Sequence, residues 1–124
     1  MNSDAFGPTI TQLWDTIESR RSDAATLDGH DTRESGSYTV ALLTGPGDTL
    51  YKKLAEESTE AVMAAKDLDA ARARGTDGTS PYGTSRDHLI YELGDVLYHF
   101  LVVCARFDIT PNDLADALQR RFKN

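Results

Sequence analysis

Two short acidic words stand out in the chain: Glu56-Glu57-x-x-Glu60 and Glu92-x-x-Asp95. Carboxylates three or four residues apart on a helix share a face, so each word can offer its oxygens to one ligand. Residues 89–105 read LIYELGDVLYHFLVVCA and carry only two charges, Glu92 and Asp95. A helix that is apolar on nearly every side is expected to be buried. A buried carboxylate is costly unless a cation or hydrogen-bond donors compensate it. Glu57 and Glu60 belong to a second apolar-patterned segment. If the two segments pack as antiparallel helices, Glu57, Glu60, Glu92 and Asp95 can converge. Four acids that close ionise together only around a cation. Oxygen ligands select Mg²⁺, Mn²⁺ or Ca²⁺ over zinc, and Mg²⁺ is the simplest choice. Such an ion can bridge a di- or triphosphate and position an attacking water.

The neighbours of these acids fit the same chemistry. His88, Glu92, Asp95 and His99 form one helical column at spacings of four, three and four. Lys53 shares the face of Glu57 and Glu60, and Glu56 flanks it. Lys52, Lys53 and Lys66 lie on or near this helix. Arg72, Arg74 and Arg86 lie near a glycine-rich stretch, and all these cations are candidate partners for phosphate oxygens. His88 and His99 are expected to be packed or hydrogen-bonded rather than to ligate a metal. Tyr91 and Tyr98 are expected to pack, each with a hydroxyl at the edge of the site.

The elements that must position these residues read as helices. Ile10, Leu13, Trp14 and Ile17 predict a helix over 9–21. Residues 22–36 are polar and rich in Asp, Thr and Gly, which predicts a long loop. Ser37 is placed to cap a short helix, 38–44, stopped by Gly45 and Pro46. Asp48 can cap a long helix over 49–74, with Leu50, Leu54, Ala61, Ala64, Ala65 and Leu68 at threes and fours. Residues 75–85, GTDGTSPYGTS, exclude a regular element. A second long helix is predicted over 85–107. Thr110-Pro111-Asn112-Asp113 has the form of a helix start, and Leu114, Leu118 and Phe122 supply that helix's apolar face. Sustained period-two alternation is missing, so the chain is expected to be all-α. No repeat of fixed period is visible.

Composition narrows the class. The chain has 124 residues, 40% hydrophobic and 27% charged, as expected of one soluble domain spanning 1–124. A net charge of −7 leaves no basic stripe for nucleic acid. It leaves room for a phosphorylated small substrate, because a divalent ion can supply positive charge locally. Cys104 is the single cysteine, expected in the core. The first residues, MNSDAFGPTI, do not resemble a signal peptide. The longest apolar run, 100–105, is too short to span a bilayer, so a cytoplasmic location is expected. Two long helices, one nearly apolar all round, are hard to cover within one small subunit. A homodimer whose paired helices make a four-helix bundle is the expected solution.

The longer words around the acids carry a family resemblance. Ser37-Tyr38-Thr39, Lys53-Leu54-Ala55-Glu56-Glu57-Ser58-Thr59-Glu60-Ala61-Val62, Ala64-Ala65-Lys66 and Glu92-Leu93-Gly94-Asp95-Val96-Leu97-Tyr98-His99 resemble the phosphoribosyl-ATP pyrophosphohydrolases, within the all-α MazG-like superfamily. The resemblance implies Mg²⁺-dependent hydrolysis of phosphoribosyl-ATP to phosphoribosyl-AMP and pyrophosphate, the second step of histidine biosynthesis, by a dimer. It implies Glu57, Glu60, Glu92 and Asp95 as metal ligands. Glu56 would hold a second metal or orient and deprotonate water, and Lys53 and Lys66 would meet phosphate oxygens. The chain departs from the family's spacing in two places, the insert around 75–85 and the loop 22–36. Three other readings compete. One is a house-cleaning enzyme for non-standard nucleoside triphosphates, and another a non-enzymatic helical dimerisation module. A di-iron bundle would want Glu-x-x-His pairs. Glu92 and Glu60 are followed at that spacing by Asp95 and Met63.

Overall fold

The computed structural model describes residues 4–26 and 37–123. Five helices follow in order: α1 (Phe6–Thr26), α2 (Tyr38–Thr44), α3 (Gly47–Ala73), α4 (Ser85–Arg106) and α5 (Pro111–Phe122). Among the described residues there is no strand, and the fold is all-α as expected. The chain groups into two compact units, one of Met1–Gly47 with Leu101–Asn124 and one of Asp48–Phe100.

In the first unit, Ile17, Val40, Leu42, Leu101, Val102, Cys104 and Ala105 are buried. Ser37 caps α2 by accepting the Val40 N–H at 3.1 Å. Arg106 donates to the Leu42 carbonyl at 2.8 Å. Such a charged donor bridges a carbonyl that α2's short length leaves without a helical partner. Asp108 ends α4 with φ 58°, and the Ile109 N–H reaches back to the Cys104 carbonyl at 2.9 Å. That left-handed close satisfies the last carbonyls of the helix. Arg21 pairs with Asp108. At α5, Thr110 and Asp113 form a complete capping box behind Pro111, as the sequence predicts.

The helix α1 runs further than its apolar pattern. Residues 22–26, expected in the loop 22–36, continue the helix. Arg20–Asp23 at 3.5 Å and Arg21–Glu18 at 3.4 Å are three-residue ion pairs that favour the helical turn. Ala24 and Ala25 are strong helix formers. The rest of that expected loop, 27–36, lies outside the described residues.

The second unit holds both acidic words. Leu50, Glu57, Ala61, Ala64, Leu68 and Ala71 are the buried positions of α3, spaced seven, four, three, four and three. This is one continuous stripe, with alanines that let a neighbouring helix come close. Gly78 lies against Ala71 of α3 and Ser85 of α4, so the end of α3 meets the start of α4. Carboxylate oxygens of Glu57, Glu92 and Asp95 also come together. The two helices therefore run antiparallel here. The connection between them has no helix or strand, as expected, but it is pinned. Ser80 and Gly83 exchange backbone hydrogen bonds of 2.8 and 3.2 Å, and the Ser85 N–H donates to Asp77 at 2.9 Å.

Helix α4 departs from expectation in one respect: it is not covered all round. Ile90 is 51% exposed, Leu93 52% and Phe100 40%. With half-buried Leu97 they form a stripe at spacings of three, four and three, on the side away from Glu92, Asp95 and His99. One chain has too few elements to cover both faces. By length and composition α4 could cross a membrane. Its two central carboxylates oppose that, since ionisable groups are expensive in a bilayer.

Candidate functional site

Glu57 and Glu92 are buried, 9% and 5% exposed, and Asp95 is half-buried. One carboxylate oxygen from each lies within 4.8 Å of the other two. The Oε2 atoms of Glu57 and Glu92 are buried with no hydrogen-bond partner among the described residues. A buried oxygen left without a donor is expensive, and two in one cluster are unusual. Helical spacing explains how they arise: Glu57 occupies a core position of the α3 stripe, and Glu92 stands on the covered side of α4.

Burial, then the charges of Glu60 and Asp95, push the Glu57 carboxyl above the usual glutamate range, while His99 pulls the other way. The cluster lacks positive charge. Lys53 stands 3.9 Å from Glu57 Oε1, but it is also 3.6 Å from Glu56. Oxygen donors converging without a donor of their own suit a hard divalent cation, which satisfies the orphaned atoms and offsets the repulsion. Glu57, Glu92 and Asp95 thus fit the implied metal.

The remaining expected residues are placed unevenly. Glu60 is exposed but within hydrogen-bonding reach of Glu57, so it borders the cluster from the solvent side. Glu56 is half-buried and pairs with Lys52 at 3.8 Å and Lys53 at 3.6 Å. Lys66 is exposed, in a shallow hollow with Val62, Asp69 and Arg72. It stands nine residues past Glu57, half a turn round the helix, so α3 itself points it away from the cluster.

The histidines are hydrogen-bonded, as their column suggested. His88 Nε2 lies 3.1 Å from Glu92 Oε1, and His99 Nδ1 lies 2.7 Å from the Asp95 carbonyl. A carboxylate and a carbonyl only accept, so each ring donates. Asp95 foremost, then Tyr82, burial and the other acids, raise the Tyr91 hydroxyl's pKa, which places that hydroxyl beside the cluster. Tyr82 was not singled out by the sequence reading. It stacks on Tyr91 with centroids 4.4 Å apart and planes at 16°. A lone tyrosine in a Gly-Pro-rich stretch carries no periodic signal that could have revealed it.

Comparison with known proteins bears on this arrangement. Residues 24–122 match the family described as phosphoribosyl-ATP pyrophosphohydrolase. The chain is similar to the phosphoribosyl-ATP pyrophosphatase of Ralstonia pickettii (strain 12J), 38% identical over 114 residues, covering 91% of this chain and 80% of that one. Its similarity to that of Janthinobacterium sp. (strain Marseille) is 37% over 113 residues, 91% of this chain and 84% of the relative. The protein of the same name from Geobacter sulfurreducens is 33% identical over 96 residues, 77% and 74% of the two chains. No solved structure matches significantly.

Proposed function

The chain belongs to the phosphoribosyl-ATP pyrophosphohydrolase family, and on that footing we propose that it hydrolyses phosphoribosyl-ATP to phosphoribosyl-AMP and pyrophosphate in histidine biosynthesis. The observation that carries the reading is the group of three converging carboxylates with two buried, unpartnered oxygens. Glu57, Glu92 and Asp95, with Glu60 at the solvent edge, would hold Mg²⁺, or Mn²⁺ in its place. The ion supplies charge neutralisation on the polyphosphate. Lys53, within reach of both Glu56 and Glu57, is placed to accept a phosphate oxygen as a further partner. Glu56 is the proposed orienter and base for water. Water attacks the α-phosphorus, the bond from that phosphorus to the bridging oxygen breaks, pyrophosphate leaves with the electron pair, and the water's proton goes to Glu56. Positioning and electrostatics carry most of the catalysis in such a displacement.

The same reading includes a homodimer and a cytoplasmic location. Ile90, Leu93, Leu97 and Phe100 support the dimer: they leave an apolar stripe on α4 that a second copy would cover. Light scattering should give twice the chain mass; a stable, active monomer contradicts it.

The deciding experiment is a substrate panel with and without Mg²⁺. Phosphoribosyl-ATP should be cleaved to pyrophosphate only with the ion, well ahead of free nucleoside triphosphates. Preference for non-standard triphosphates would move the assignment to a house-cleaning enzyme. No turnover of any of them, with no effect of Mg²⁺ on melting, would leave only a dimerisation module.

A further inference from the structure

We propose that Tyr82, Tyr91 and His88 form a brace that sets the orientation of the Glu92 carboxylate for metal binding, which makes the connection 74–84 a working part of the site. The proposal rests on the reading of the acidic cluster as a divalent-cation site. His88 and Tyr82 are positioning residues, acting through Glu92 and touching neither substrate nor ion.

The chain of contacts is short and complete. His88 Nε2–H donates to Glu92 Oε1 at 3.1 Å, while Glu92 Oε2 stays buried and unpartnered. The histidine thus occupies one oxygen and leaves the other for a ligand. The His88 ring is itself held, lying 4.9 Å from Tyr82 between centroids at 34°. Tyr82 in turn stacks on Tyr91, whose hydroxyl lies beside the acids. His88 and Tyr91 are three residues apart on α4, so one ring from outside the helix can touch both.

Tyr82 can serve as a support because its turn is tied down. The Tyr82 N–H donates to Ser80 Oγ at 3.1 Å, and Ser80 Oγ donates to the Thr84 carbonyl at 3.0 Å. Asp87 accepts from both the N–H and the hydroxyl of Thr84, each at 2.9 Å. Gly78 seats the other limb of the connection on Ala71 and Ser85. A glutamate on a helix has three rotatable bonds, and a ligand that swings freely binds metal weakly. Outer partners that fix a ligating group are commonly worth about 10–100-fold in metal affinity. The insert that lengthens this chain relative to the family's usual spacing therefore brings its own ring to the cluster's edge.

The test is Mn²⁺ binding to the full chain without substrate, followed by the loss of the free-ion electron paramagnetic resonance signal, with circular dichroism to confirm folding. His88→Ala and Tyr82→Ala should each weaken binding, by about 10-fold or more. Tyr82→Phe keeps the ring and should match the parent. His88→Gln keeps an N–H donor and should recover most of the affinity. In a His88→Ala background, Tyr82→Ala should add little, since both act through one contact. Parent-like affinity in His88→Ala and Tyr82→Ala, with binding lost in Glu92→Gln, overturns the brace and leaves the cation site standing. Unchanged affinity in Glu92→Gln overturns the cation reading and the brace with it.

Discussion

Replacing Glu92 by Gln should make the protein respond to metal in the opposite sense from its stability without metal. Glu92 contributes one of three carboxylate oxygens that lie within 4.8 Å of one another. At that separation two full charges repel by about 3.5 kcal/mol at an effective dielectric constant near 20. The substitution removes two such pairs. Part of that relief is already taken in the parent, because Glu57 holds its proton more firmly than usual. The substitution also weakens the His88 contact from a charge-assisted to a neutral hydrogen bond, at a cost of about 1 kcal/mol. In a chelator the variant should therefore melt no lower than the parent. With Mg²⁺ at about a hundred times its dissociation constant, the parent gains about 2.7 kcal/mol. At roughly 4 °C per kcal/mol for a chain of this size, that raises its melting temperature by about 10 °C. The variant should gain less than about 1 kcal/mol, so the order of the two melting temperatures reverses. Differential scanning calorimetry at fixed protein concentration and ionic strength reads this directly. A variant that melts well below the parent in chelator, or that gains as much from Mg²⁺, would refute the electrostatic account.

Acidity should act through Glu57. Its folded pKa is raised, so its contribution to stability is full below the ordinary value of 4.5 and is lost as pH climbs through the folded value. In chelator, the stability of the parent relative to Glu57→Gln should fall with rising pH; a flat or rising difference in urea titrations contradicts the shift. Leu50, fully buried, should cost about 2–5 kcal/mol when cut to Ala, read as a lower urea midpoint at unchanged slope. Gly75 and Gly78 both have positive φ, 81° and 70°, but only Gly78 is crowded. A Cβ there would stand 2.5 Å from Ser85 Oγ and 3.0 Å from the Ala71 Cβ. Both alanine variants should lose about 1–2 kcal/mol from backbone strain, with Gly78→Ala clearly the worse; equal losses would mean that the connection does not seat on α3 and α4.

Much of the architecture was readable from local signals. The short helix α2 between Ser37 and Gly45, and α5 behind Thr110-Pro111, were legible because capping chemistry is written in adjacent residues. Helix α1 was underestimated because its last turns have no apolar stripe, only alanines and three-residue ion pairs. Of the site, Glu57, Glu92 and Asp95 were legible from charge placed inside apolar patterns. Tyr82 was not, since its value lies in what it touches.

By itself the sequence determined the two acid-bearing helices, the caps that bound the short ones, and which side chains share a helical face. Those properties depend on residues a few positions apart. Only the tertiary structure decided which faces meet. It sinks Glu57 and Glu92 while leaving Glu60 at the surface, ties Glu56 to lysines, turns Lys66 away, and sets Ile90, Leu93 and Phe100 toward solvent. Helical periodicity gives an angle around one axis, whereas burial depends on the distance between two axes, and that distance is set by the small residues Ala61, Ala64 and Ala71 on the buried side of α3.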